Sequence, residues 1–291
     1  MTIILKALND LAMEEKEWWK EEISAAKTLS DIEHIFRKLW PALFPKPYRK
    51  PLLGFPEVII HAEETAVKKN KFYAAAKSGD EEAATLLVRD TLNQGSIASL
   101  KLFIGERKPV LISAHAIENH GVNAIPEAFA EMLAERLGLK AESGIVQINA
   151  VWHTGASGFG RLARQPFFAG TVSASQEYLL VDDFVGMGGT LANLRGYIES
   201  QGGVVIGATT LTGKHYSAIL SPDKQQLQKL RDKHGNELER WWLERFGHTF
   251  DSLTQSEARY LYNTKDADTI RDRIIAAEQE GNRRGRSEKA P

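Results

Sequence analysis

The chain has 291 residues, 43% of them hydrophobic and 26% charged, which suits a globular protein with one large domain or two smaller ones. A formal net charge of −1 gives no global pull toward nucleic acid or membrane, and zero cysteines exclude disulfides and thiolate metal sites. No stretch reaches the roughly 18 consecutive apolar residues that a membrane span needs, so the expectation is a soluble, cytoplasmic protein without membrane contact.

Residues 1–108 read as mostly helical. Leu8, Leu11, Trp18, Trp19 and Ile23 recur at near-helical spacing, and Ser30 with Glu33 forms a capping-box pattern before a second apolar stripe. Prolines from Pro41 to Pro56 break the chain into turns, and helices are expected over about 57–77 and 80–93.

At Pro109 the texture changes. Val110–Ser113 predicts a strand, and Ile125, Phe129, Met132, Leu133 and Leu137 predict a helix ending at Gly138. Gly144–Ile148 predicts a second strand, followed by a polar, glycine-bearing stretch from His153 to Arg164. The apolar run Tyr178–Val181 is a further strand; Leu191, Leu194 and Ile198 predict a helix stopped at Gly202-Gly203, and Val204–Ala208 the next strand. Such alternation implies an α/β fold with a mostly parallel sheet over residues 109–220, whose ligands bind beyond the carboxyl ends of its strands.

Residues 221–280 turn helical again. Leu227, Leu230, Leu238, Trp241, Trp242 and Phe246 predict one amphipathic helix broken near Gly235, and Ser256 caps another running to Ala277. The tail 281–291 is polar and basic and is expected to be disordered.

The chemistry concentrates in Glu177–Leu191. An apolar strand ends in adjacent carboxylates, Asp182 and Asp183, and Gly186-Met-Gly188-Gly189-Thr190 then opens a helix. Turn amides at a helix N-terminus favour phosphate, and carboxylates accept from hydroxyls or hold a metal. A Walker A loop is excluded, because no lysine follows Gly189, and the dinucleotide fingerprint fails on glycine spacing. A plain strand-to-helix turn accounts for the pattern less well, since glycine at three of four positions costs backbone entropy unless a ligand comes close.

This stretch resembles the phosphoribosyl pyrophosphate signature of the type I phosphoribosyltransferases. The resemblance covers residues 109–214 and implies that family's parallel-sheet core, with the helical flanks as hood and accessory layer. It implies that Asp182 and Asp183 hold the ribose hydroxyls and touch Mg²⁺ indirectly, through substrate or water. It implies further that Val185, Gly186, Met187, Gly188, Gly189 and Thr190 cradle the 5′-phosphate. The family commonly has Thr where Gly186 and Met187 stand, so two hydroxyl donors are missing. Val110–Ser113 with Ala114 and His115 is similar to the family's first strand and pyrophosphate loop, and Gly121-Val-Asn123 to an element of the ComF-like branch. Arg161 and Arg164 fall where the family carries a flexible catalytic loop.

The resemblance implies a Mg²⁺-dependent pentosyltransferase that binds phosphoribosyl pyrophosphate or a related ribose 5-phosphate ligand and acts on a nucleobase or nucleotide-type substrate. A homodimer is expected, with the helical flanks as the place for a protein partner. Two alternatives stay open: a non-catalytic sensor of a phosphorylated ribose, and a partner-controlled effector or toxin on the same fold.

Overall fold

The computed structural model describes residues 48–113, 117–118, 121–149 and 157–287. Its strands are β1 (Ile59–Ala62), β2 (Val110–Ser113), β3 (Ile117–Glu118), β4 (Gly121–Val122), β5 (Lys140–Glu142), β6 (Ile145–Gln147), β7 (Phe168–Gly170), β8 (Glu177–Val185) and β9 (Val204–Gly213). Five of them form an all-parallel sheet in the order β1-β9-β8-β2-β5, while β3–β4 and β6–β7 are separate antiparallel pairs. The helices are α1 (Glu64–Lys69), α2 (Tyr73–Lys77), α3 (Glu81–Thr91), α4 (Gln94–Ile104), α5 (Ile125–Leu137), α6 (Gly158–Ala163), α7 (Gly189–Ser200), α8 (Lys224–Phe246), α9 (Gln255–Tyr262) and α10 (Ala267–Ser287).

β8 takes the centre because Tyr178–Val181 can be buried on both faces, as an inner parallel strand requires. Leu179 and Val181 pack on one side with Phe129 and Leu133 of α5. Tyr178 and Leu180 pack on the other with Leu191, Leu194 and Ile198 of α7. The apolar stripes read from the sequence for α5 and α7 are therefore the faces that cover the sheet. Gly138 ends α5 in the left-handed conformation (φ 65, ψ 40). A third core gathers α6, α8, α9 and α10 around Trp242, Phe250, Leu261, Ile270 and Ile274.

Several expectations need correction. The helix expected over 57–77 begins with β1, since Val58, Ile59 and Ile60 form a β-branched run that pairs with Thr209 and Thr210 of β9; α1 and α2 follow it. The strand expected at Gly144–Ile148 exists as β6 but pairs with β7, and the shorter β5 holds the edge of the main sheet. The helix expected from Ser256 to Ala277 is two, and the first is capped by Thr254 in a full capping box with Glu257. The last helix continues to Ser287, into the segment expected to be disordered. The break at Gly235 is present (φ 77, ψ 162). The Ser30 cap and the tryptophans at 18, 19 and 40 lie outside the described residues.

Two buried imidazoles tie the fold to pH. His61 of β1 bonds Thr209 Oγ1 at 3.0 Å and meets Phe129 edge-on, and burial lowers its pKa to about 4. His248, beside Trp242 and Phe246, is lowered to about 3 by burial and then by the charge of Arg49. Both are neutral when folded, whereas the unfolded chain takes up protons near 6.5. Their contribution is complete above that pH and is lost as pH falls toward 4, by on the order of 2–3 kcal/mol each. The urea midpoint should fall between about pH 7 and about pH 4.5, and a His248→Phe variant should fall less steeply.

Candidate functional site

The sheet's connections place the site. From β2 the chain crosses through α5 outward to β5, and from β8 through α7 outward to β9, so the crossovers diverge between β2 and β8. The crevice at the carboxyl ends of diverging strands is where open α/β sheets hold ligands. There a cleft is lined by Arg49, Arg161, Pro166, Asp182, Phe184, Glu257 and residues 185–191.

Successive side chains of a strand point to opposite faces, and this separates the two acids. Asp182 follows Leu180 to the α7 side, is buried, and lines the cleft. Asp183 follows Val181 to the α2–α5 side, where Lys77 Nζ lies 2.8 Å from Oδ2 and Asn123 Nδ2 donates to the same oxygen at 3.1 Å. Asp182 Oδ1 accepts from the backbone N–H of Asp183 at 2.8 Å. Burial and then the charge of Asp183 push the Asp182 carboxyl well above the usual range. Burial would also raise Asp183, but the charge and hydrogen bond of Lys77, with the bond from Asn123, hold it below the usual range. Of the two, Asp182, the carboxyl that faces the cleft, is therefore the more readily protonated.

The loop after β8 is built to expose backbone amides. Gly188 is left-handed (φ 80) and is the N-cap of α7, with no side chain to accept from the first turn. A Cβ there would come within 2.3 Å of Leu220. The loop carbonyls are held from behind by the C-terminal layer: Ser217 Oγ donates to Gly186 O, and Thr254 Oγ1 to Met187 O at 2.5 Å. In a trans peptide the next N–H points opposite to the carbonyl, so these hydroxyls turn the N–H groups of Met187 and Gly188 away from themselves.

Behind Gly189 sits a buried ion pair. Arg49 Nη1 is 2.5 Å from Glu257 Oε2, and Nη2 donates to Oε1 at 2.9 Å and to Gly189 O at 3.5 Å. Arg49 Nε donates to Asn193 Oδ1 on α7, and Glu257 Oε2 also accepts from the N–H of Thr254 at 2.9 Å. The chain delivers Arg49 by crossing α7 at Gly196, where a Cβ would lie 1.5 Å from Tyr48 O.

The residues expected from the sequence separate accordingly. Asp182, Val185, Gly186, Met187, Gly188, Gly189, Thr190 and Arg161 line one cleft. Asp183 lies across the sheet from it. Arg164 is turned to the last helix, where Nη1 donates to Ala277 O at 3.0 Å. The described end of the stretch expected as a flexible loop is the helix α6, capped by Ser157 and anchored by buried Phe159 and Leu162. Ala114 and His115 lie outside the described residues.

Gly186 and Met187, where the loop departs from the signature it resembles, each have a structural setting. Met187 packs its side chain against the third core, and a Cβ at Gly186 would come within 2.9 Å of Arg161 Nη1. Among the described residues no three His, Asp or Glu groups converge to hold a metal ion. The sequence reading missed Arg49, Asn193, Ser217 and Glu257. Only Thr254 and Glu257 carried a local signal, the Thr-x-x-Glu capping pattern.

No family model matches the chain. It is 41% identical to Protein TraN of Escherichia coli over 248 residues, 85% of this chain and 55% of that protein. It is 36% identical to an uncharacterised protein of Haemophilus influenzae over 144 residues, 50% of this chain and 32% of that one. The chain thus spans about half the length of the first of these relatives and about a third of the second. Among solved structures it is similar to an adenine phosphoribosyltransferase (15% identity, TM-score 0.30, covering 43% of this chain and 71% of that one). It is also similar to the adenine phosphoribosyltransferase of Thermoanaerobacter pseudethanolicus (19%, TM-score 0.29, 42% and 67%) and to the UMP synthase of Leishmania donovani (12%, TM-score 0.28, 62% and 33%). The fold assignment rests on strand order and register, not on these scores.

Two stability measurements check the site. Arg49→Met leaves the Glu257 carboxylate buried without its partner and should cost about 3–5 kcal/mol in urea unfolding, with part of the loss restored in Arg49→Met/Glu257→Gln. Asp182 holds its proton more tightly when folded, so that stability is complete below the ordinary carboxylate range and is lost as pH rises through its raised pKa. Asp182→Asn does not titrate, so its stability relative to the natural chain should increase as pH rises above the ordinary carboxylate range.

Proposed function

We propose that the cleft binds a ribose 5-phosphate group, in full phosphoribosyl pyrophosphate, and that the chain transfers or cleaves at its anomeric carbon. The observation that carries this is the meeting of Asp182 with the uncapped N-terminus of α7 in one cleft at the topological switch point. On this reading Asp182 bonds the ribose hydroxyls, and the amides of Gly186–Thr190 hold the phosphate. Mg²⁺ arrives on the diphosphate rather than in a protein cage, since the described residues offer no chelating set.

In the reaction the C1–O bond to diphosphate breaks and its electron pair leaves with the diphosphate. An acceptor nitrogen, or water, then bonds C1 and gives up its proton. The transition state has oxocarbenium character, and each preorganised donor to the departing charge is worth about 3 kcal/mol. By the sequence resemblance, Ala114 and His115 belong beside the diphosphate. A second reading, binding without turnover, is favoured by Met187, whose side chain couples the loop to the helical layer.

Calorimetric titration with ribose 5-phosphate, and with phosphoribosyl pyrophosphate plus Mg²⁺, tests both. Asp182→Ala should weaken binding by roughly tenfold to a hundredfold, as loss of hydrogen bonds to a buried carboxyl group predicts. Release of diphosphate in the presence of a nucleobase panel establishes the transferase; saturable binding with no release establishes the sensor. No binding of either ligand by the natural chain removes both.

A further inference from the structure

At the carbonyl of Gly186 the phosphate loop meets a chain of hydrogen bonds that runs out through the C-terminal layer. Ser217 Oγ, in the turn after β9, donates to Gly186 O. It also lies 3.0 Å from Ser256 Oγ in the first turn of α9. Three residues further along that helix, and so on the same face, Arg259 places Nη2 3.4 Å from Ser256 Oγ. Both serines are buried, with 1% and 6% of their surface exposed. The far end is held as well, because the Arg259 guanidinium sits over the ring of Tyr216, 4.6 Å from its centroid.

Donor counting gives this chain one direction. A carbonyl only accepts, a guanidinium only donates, and a serine hydroxyl carries one proton. Ser217 gives its proton to Gly186 O, so between the two hydroxyls Ser256 is the donor. Ser256 then has no proton left, and its oxygen accepts from Arg259. Every bond points toward the loop, from a full positive charge to a peptide carbonyl. Hydrogen bonds in series polarise one another, by about 10–30% per bond, and each is stronger where water is excluded. Electron density drawn to Gly186 O is withdrawn from the N–H of the same peptide, which belongs to Met187 and points the opposite way. The next peptide differs: Thr254 Oγ1 donates to Met187 O but itself accepts from a backbone N–H, that of Glu257, at 3.1 Å.

We propose that Arg259 is a positioning residue for the phosphate loop: through Ser256 and Ser217 it polarises the Gly186–Met187 peptide, so that the Met187 N–H is a stronger donor to an anion in the cleft. Residues 186–189 carry no polar side chain of their own, so the strength of the backbone donors decides how well that part of the loop holds a phosphate. Hydrogen bonds with an ionised partner are roughly twice as strong as neutral ones, and the serines carry part of that gain inward from α9. The use of this donor for phosphate rests on the ribose 5-phosphate reading above; the polarisation of the peptide does not.

The test reads the Met187 amide by proton–nitrogen correlation NMR on the full deuterated chain, with calorimetric binding of ribose 5-phosphate and thermal melting alongside. The variants are Arg259→Met, Arg259→Lys, Ser256→Ala and Ser256→Ala/Arg259→Met. Arg259→Met and Ser256→Ala should each move the Met187 amide proton to higher field in the free protein and weaken ribose 5-phosphate binding several-fold, with little change in melting temperature. Arg259→Lys keeps the charge and should recover part of both effects. The double variant should be no worse than Ser256→Ala, since one break already interrupts the chain. A Met187 amide that stays in place in Arg259→Met overturns the proposal whatever binds. So do affinity losses that add in the double variant, which would mean that Arg259 acts through space, and so does a lowered melting temperature in place of these changes. Unchanged affinity with a shifted amide overturns the use of this donor for phosphate. If the natural chain binds neither ribose 5-phosphate nor phosphoribosyl pyrophosphate while the amide moves as expected, the ribose 5-phosphate reading fails, and the phosphate role of Arg259 fails with it.

Discussion

Side-chain alternation along β8 is the constraint from which the site follows. Up to Val181 it sends apolar groups into two cores, one under α5 and one under α7. Continued for two residues, the same alternation sends one carboxyl to each face. The two environments are unequal. Lys77 and Asn123 compensate Asp183, while Asp182 has the N–H of its neighbour and a cleft. Two buried carboxyls this close would oppose ionisation together; one cation on one face favours ionisation there and leaves the other carboxyl the more readily protonated. A strand end that looks symmetrical in the sequence becomes an ion pair behind the sheet and a protonatable group in front of it.

What holds the loop in front of Asp182 comes from outside the sheet. Residues on either side of the α/β core, Arg49 before it and Thr254–Glu257 after it, meet behind Gly189 and bond to its carbonyl and to that of Met187. A lone buried carboxylate or guanidinium there would be strongly destabilising, and the pair is tolerable because nearly all its hydrogen-bonding capacity is used: Asn193, Ser252 O and the Thr254 N–H complete it. The helical layer is thereby part of the site. It grips the loop by its carbonyls, which leaves the amides to the opposite side of each peptide plane.

How much of this could be read from the chain depends on the range of the interaction. Periodicity is local, so β2, α5, β8 and α7 were legible, as was the break at Gly235. The glycine turn was legible because three glycines in four positions have few other uses. β1 was not, since Val58, Ile59 and Ile60 are a short run inside a helical texture and become a strand only by pairing with β9. The pairing of β6 with β7 in place of the main sheet is likewise decided by a partner more than 20 residues away in the chain. Arg49 and Glu257 carry no mark of their meeting, although the Thr254–Glu257 capping pattern marked one end of it. The opposite facing of Asp182 and Asp183, by contrast, was available from the strand period alone.

Met187 and Gly186, where the loop departs from the signature it resembles, face the same helical layer. A threonine at 187 would offer a hydroxyl but would lose the contacts that the half-buried Met187 side chain makes against the third core. Once that side chain anchors the loop to the helical layer, the layer also fixes α6, because Phe159 and Leu162 share the same core. A fixed α6 holds Arg161 beside position 186, where a Cβ would come within 2.9 Å of its Nη1. Glycine at 186 and methionine at 187 thus both fit a helical layer docked onto the loop.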